Sequence, residues 1–124
     1  MQRNISQLHR WLARLFLAGL VVQFYFAGAP LFGVTSFQPH RMLGGALTML
    51  AILMPILALA GRLDRRLVGL SFLLLVLTMV QAMLPSLRGS VSLIASLHPI
   101  NALVLMGLSA RIGRSGRADV LQMN

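Results

Sequence analysis

Residues 67–85 read LVGLSFLLLVLTMVQAMLP, a run without a single charged side chain. An α-helix rises about 1.5 Å per residue, and roughly 20 apolar residues cross a bilayer, so this run is a membrane-spanning helix. Three more runs of similar character lie around it, at about residues 11–33, 42–61 and 91–110. None alternates with the two-residue period of a barrel strand, and helices are the other form that satisfies its own backbone in lipid. The expected fold is all-α: an integral membrane, up-down four-helix bundle forming a single domain over residues 1–124, its connections short enough to make successive helices antiparallel neighbours.

The composition excludes the rival classes. The chain of 124 residues is 57% hydrophobic and 10% charged, against about a quarter charged in soluble domains. With no cysteine, it has no disulfide, thiolate metal site or covalent haem attachment. All eleven basic residues are arginine and only Asp64 and Asp119 are acidic. Arg3, Arg10, Arg14, Arg62, Arg65, Arg66, Arg111, Arg114 and Arg117 fall on one side of the four-helix threading, Arg41 and Arg88 on the other. That asymmetry puts both termini in the cytoplasm (N-in/C-in) of a multi-pass protein in the bacterial inner membrane, in contact with anionic lipid. Nucleic acid is not an expected partner. Ala27-Gly28-Ala29 resembles a signal cleavage site, but Pro30 follows it and the apolar run is long enough to span, so an uncleaved first helix is expected. Gly113-Arg114-Ser115-Gly116-Arg117 reads as a flexible tail.

Displacing the chain by 58 residues puts Gln23 on Gln81 and His40 on His98. Of eight identities over residues 12–50, five are Leu on Leu, which an apolar chain gives by chance; the Gln and His matches carry the weight. They read as two helical hairpins related by an axis along the membrane normal if the repeat is a duplication, and as coincidence if it is not. In either case the second and fourth helices are diagonal in the bundle, with His40 and His98 on opposite walls of its outer half.

Intramembrane polar residues are costly and mark functional sites. Singly, His40 is an interfacial residue and His98, before Pro99, an N-cap-like or kink residue. As a facing pair they can supply both axial ligands to a haem iron. Gly44 and Ala102, one turn further along each helix, leave room for a flat macrocycle, with Gly45 and Gly19 adding slack or serving helix packing. Arg41 and Arg88 are the outer candidates for haem propionates, the alternative being solvated interfacial arginines. Gln23, Gln81 and Asn101 bond either to the histidines or between helices. Trp11 and Tyr25 are interfacial anchors, the eight methionines fill packing gaps, and His9 is solvated at the chain start. No carboxylate lies within a span, so a proton pump or cation-coupled carrier lacks its usual relay.

The run His40-Arg41-Met42-Leu43-Gly44 resembles the His-Arg segment opening the second helix of each half of heme A synthase. Val80-Gln81-Ala82-Met83-Leu84 with Leu97-His98-Pro99 is similar to the third helix and fourth-helix histidine of that family. The resemblance covers about one four-helix half of such an enzyme and implies haem ligation by His40 and His98. The acidic residue before the helix-two histidine and the outer cysteine pair of many members are missing here, so oxidation of haem O is not implied. The elements Gln23-Phe24, Ala27-Gly28, His40-Arg41, Leu43-Gly44 and Leu97-His98-Pro99 with Asn101 also resemble an uncharacterised family of small bacterial four-helix membrane proteins.

The functional expectation is therefore a small membrane cytochrome, not a catalyst. One b-type haem would sit between the second and fourth helices, with His40, His98, Arg41, Gly44, Asn101, Ala102, Gln23 and Gln81 forming the site and His40 and His98 ligating the metal. It would transfer electrons alone, as a homo-oligomer, or as a subunit of a larger membrane redox complex. The alternatives are a haem-free structural or accessory subunit and a quinone- or lipid-binding protein.

Overall fold

The computed structural model describes residues 2–115. It is all-helical among these residues: α1 Gln2–Gly28, α2 Gln38–Ala60, α3 Arg65–Met83, the single turn α4 Ser92–Ala95, and α5 His98–Arg114. Short 3-10 segments, Ala29–Phe32 and Leu84–Gly89, extend α1 and α3. Together these make four helical rods long and apolar enough to cross a membrane, Gln2–Phe32, Gln38–Ala60, Arg65–Gly89 and Ser92–Arg114.

Each long helix buries one narrow stripe. The buried positions are 9, 13, 16 and 20 on α1; 47, 51, 54 and 58 on α2; 67, 71, 74 and 78 on α3; and 102, 105, 109 and 112 on α5, with a few flanking residues. Alternating steps of three and four residues are the spacing of a coiled-coil seam, which closes antiparallel helices around a shared axis. Phe16, Leu47, Met54, Leu74, Leu105 and Ile112 meet in that core. The outward faces carry exposed Leu15, Val22, Ile56, Val76 and Leu103, while His9, Ser71, Thr78 and Ser109 are buried. Apolar outside and polar groups inside is the distribution expected when lipid is the solvent.

The helices form a ring in which α1 packs on α2 and α5, and α3 packs on the same two. Thus α2 and α5 face each other diagonally. Arg14 Nε donates to the Gly113 carbonyl at 3.1 Å, and a β-carbon on Gly61 would fall 2.6 Å from the Ile5 side chain. The start of α1, the α2–α3 turn and the end of α5 therefore share one end of the bundle, the termini end. His40 and His98 lie at the other.

The termini-end turn is held by a cap. The Asp64 carboxylate accepts hydrogen bonds from the backbone N–H groups of Arg66 (2.7 Å) and Leu67 (3.1 Å). Two otherwise unpaired donors of α3 are satisfied, and a negative charge sits at the positive end of the helix. Asp64→Ala is expected to cost about 1 kcal/mol, seen as a lower thermal midpoint in detergent with the helical signal of the folded protein retained.

Several sequence expectations are corrected here. The last span, Ser92–Arg114, is not one unbroken helix: Pro99 lacks an N–H and clashes with the preceding turn inside a helix, so the run is interrupted and α5 starts at His98 with the proline in its first turn. The intervening Val91–Leu97 stretch forms α4 and loops, with Leu93 82% exposed. Gly113 and Arg114 belong to α5, not to a tail; Gly116, Arg117 and Asp119 lie outside the described residues. Helix α1 starts at Gln2, well before residue 11, and carries His9 inside its buried stripe. That residue is not solvated: it is fully buried.

Candidate functional site

Two prolines place the histidines. Pro39 and Pro99 each stand in the first turn of a helix, where the missing N–H is no loss, and the chain enters α2 at Phe37 and α5 at Leu97. The next residues back-bond in the same way, Arg41 N–H to the Phe37 carbonyl at 3.1 Å and Asn101 N–H to the Leu97 carbonyl at 2.8 Å. His40 and His98 both lie in the first turns of the two diagonal helices, but on opposite sides of the proline: His98 precedes Pro99 as the first residue of α5, whereas His40 follows Pro39 two positions further into α2.

Their side-chain hydrogen bonds nevertheless match. His40 Nδ1 donates to the Gln23 carbonyl at 3.3 Å, and His98 Nδ1 donates to the Gln81 carbonyl at 3.0 Å. A carbonyl only accepts, so in each ring the proton is on Nδ1 and the lone pair is left on Nε2. The Gln81 carbonyl is available because the residue four positions on is Pro85, which has no N–H to offer it. The ring centroids lie 6.2 Å apart with planes inclined at 59°.

Both rings line a cavity of about 460 Å³, within the range of small-molecule and cofactor pockets. Seven of the eight residues singled out from sequence line it: Gln23, His40, Arg41, Gly44, Gln81, His98 and Ala102. Asn101 does not; it stands behind the wall, donating through Nδ2 to the Leu77 carbonyl (2.9 Å) and Gln81 Oε1 (2.8 Å). Arg88 is exposed on the 3-10 segment and is not brought to the cavity. Of the glycines expected to give slack, Gly45 lines the cavity, whereas Gly19 makes room for Leu47, whose side chain would lie 2.6 Å from a β-carbon there.

The 58-residue offset runs through the lining. Beyond the Gln and His pairs, Leu20 matches Thr78, Phe24 matches Ala82, Ala27 matches Pro85, Arg41 matches Pro99, Gly44 matches Ala102 and Leu47 matches Leu105, all on the cavity wall. Most of these pairs are not identities, so a comparison of letters passes over them.

The pattern breaks at one polar contact. Position 43, the counterpart of Asn101, is Leu. Gln81 Oε1 has Asn101 as its partner, while Gln23 Oε1 is buried without one. Thr48 and Thr78 are lining residues that sequence reasoning missed; their hydroxyls donate to the Gly44 (3.0 Å) and Leu74 (2.7 Å) carbonyls. Single threonines inside apolar runs gave no signal.

A second buried polar contact lies nearer the termini end. Ser71 Oγ donates to the Leu67 carbonyl at 2.8 Å, so its other contact, His9 Nε2 at 2.8 Å, is the donor to Ser71 Oγ. His9 Nδ1 is buried without a partner.

Chemically, the main site offers two imidazole lone pairs in an apolar chamber with one cationic side chain. Among the described residues no group of three or more His, Cys, Asp or Glu comes together. A pair of histidines alone suits a metal whose remaining positions are filled by a non-protein ligand, which is the arrangement of a haem iron with two axial histidines.

A family model described as a family of unknown function, DUF6220, matches residues 23–87, just over half of the chain. It begins at Gln23 and includes His40 and Gln81 but not His98. No curated protein and no solved structure matches, so the resemblance to heme A synthase stands on the short motifs alone.

Proposed function

The chain belongs to DUF6220, a family of unknown function, and on that premise we propose that it is a small membrane cytochrome holding one b-type haem between α2 and α5. The observation that carries the proposal is the histidine pair, each ring fixed through Nδ1 by a glutamine carbonyl and each Nε2 left free beside a shared cavity.

The residues fit the group. Metal–imidazole bonds run about 2 Å, and a ring nitrogen lies about 1 Å from its ring centre, so two imidazoles on opposite sides of one ion have centroids roughly 6 Å apart. The observed 6.2 Å agrees. His40 and His98 would hold the iron; the glutamine carbonyls set their tautomer and orientation, the usual role of the partner behind a ligating histidine. Arg41, at the cavity's exposed rim, would pair with the propionate carboxylates. The apolar lining, including Phe16, Leu20, Leu47 and Leu105, excludes water. Bound there, haem supplies one-electron redox chemistry, tuned by its axial ligands and by burial.

The same reading sets the protein in the bacterial inner membrane with the termini end in the cytoplasm. Of the arginines in the described residues, only Arg41 and Arg88 lie at the histidine end. Electrons would then be exchanged near the outer face, by the protein alone, as a homo-oligomer, or as a subunit of a membrane redox complex. The matched lining supports a duplicated helical hairpin, with the cavity on the axis relating the two halves.

Haem content tests the proposal. Protein purified in detergent from haem-replete cells is expected to carry about one haem per chain. Folded protein that holds less than about a tenth of that and takes up no added haem would refute it.

A further inference from the structure

We infer that the cavity is loaded sideways from the bilayer, through an opening between α2 and α3, and that Gly45 and Ala82 are the residues that keep this opening wide. The inference takes its ligand from the haem reading of the cavity and adds the route by which an apolar group with an acidic edge reaches the histidines.

Four lining residues on this side are also exposed: Arg41 and Gly45 on α2, Ala82 near the end of α3, and Pro85 just beyond it. Helical register sets which way they face, since successive residues are turned by about 100°. Gln81 and Ala82 flank the buried stripe of α3 on opposite sides. Gln81 meets Asn101 of α5, so Ala82 is turned toward α2. On α2, Gly44 and Leu47 meet Gln23 and Gly19 of α1. Gly45 and Thr48, each one position further round, stand on the side of α3, and Arg41 shares their face by the i, i+4 rule. A β-carbon on Gly45 would meet nothing within 4 Å, so this glycine leaves open space, whereas Gly19 seats a neighbouring side chain.

The 58-residue counterparts close the other gap, between α5 and α1. Phe24 stands at the position of Ala82, Leu103 at that of Gly45 and Met106 at that of Thr48. Of these three only Phe24 reaches the lining, and Met106 packs against the core. Gly45 and Ala82 both lie within rods long and apolar enough to cross the membrane, so lipid is what the opening faces. Arg41, the one arginine of the lining, stands one turn from Gly45 toward the histidine end. An apolar body therefore enters first, and its acidic edge comes to rest beside Arg41.

The test writes the residues of the closed gap into the open one. Haem-free protein in lipid nanodiscs is mixed with haem b and uptake is followed by the Soret band; release is followed with an excess of a haem-scavenging protein. Ala82→Phe and Gly45→Leu are each expected to slow uptake and release together, by about tenfold, with Kd changing far less than either rate. Both positions are exposed, so the haem-free variants should melt within about 3 °C of wild type. Phe24→Ala, added to Ala82→Phe, widens the opposite gap and is expected to bring uptake back toward the wild-type rate. Uptake at the wild-type rate in both single variants would overturn the inference. Slower uptake with a Kd that rises in proportion would also overturn it, because that is the mark of a filled chamber and not of a narrowed entrance. A wild type that takes up no haem would instead overturn the cytochrome reading itself.

Discussion

His40→Ala and His98→Ala are each expected to abolish stable haem binding, by more than a hundredfold in Kd, while the four-helix bundle stays folded. Removing a residue that only orients a ligating histidine costs about 10–100-fold in metal affinity, and removing the ligand itself costs more. The fold should survive because each histidine is only partly buried and makes one side-chain hydrogen bond, worth about 0.5–1.5 kcal/mol. The core stripes also begin beyond the histidines, at Leu47 on α2 and at Ala102 on α5. The two variants should be alike, because their surroundings are alike: each histidine stands in the first turn of its helix, and each Nδ1 meets the carbonyl of a glutamine 17 residues earlier. Haem content by absorbance and helix content by circular dichroism check both statements. One variant keeping full haem while the other loses it would exclude the paired-ligand arrangement.

Gly44→Leu is the second large effect, and it leaves both histidines in place. Gly44 lines the cavity, and a β-carbon there already comes within 3.0 Å of Gln23 Nε2. A leucine side chain extends beyond that point into the chamber. Haem binding is expected to fall at least a hundredfold, whereas the haem-free protein should be as stable as wild type or more so, since leucine is the better helix former by several tenths of a kcal/mol. If Gly44 served only the approach of α1 to α2, the opposite pattern would appear: a destabilised bundle with unchanged haem affinity. Haem titration beside thermal melting distinguishes the two.

These expectations draw on features that were unequally legible in the sequence. The existence of four spans follows from long uncharged runs, because in lipid any such run must close its own backbone hydrogen bonds as a helix. Their ends were less legible. Hydropathy counts Val91–Leu97 as part of the last span, but Pro99 dictates where α5 can start, and Pro39 does the same for α2. The histidine–glutamine pairing was visible as two equal 17-residue spacings, each across a loop. Which atoms meet was not, since the glutamine contributes its backbone carbonyl. His9 was misread because it lies at the chain start, ahead of the first long apolar run. The overlooked signal was the stripe His9, Ala13, Phe16, Leu20, whose steps of four, three and four mark a core position whatever residue occupies it. The unequal fate of Gln23 and Gln81 was present in the letters as Leu43 against Asn101, but only the three-dimensional register makes that difference a hydrogen bond.

The central claim is that His40 and His98 together hold a haem. The most direct test is the absorption spectrum of detergent-purified protein, oxidised and then reduced with dithionite. The account predicts sharp α and β bands in the reduced wild type, absent from His40→Ala and from His98→Ala. A folded wild-type protein that is colourless, and remains colourless after haem is added, would contradict it and leave the bundle as a haem-free subunit or a carrier of a different ligand.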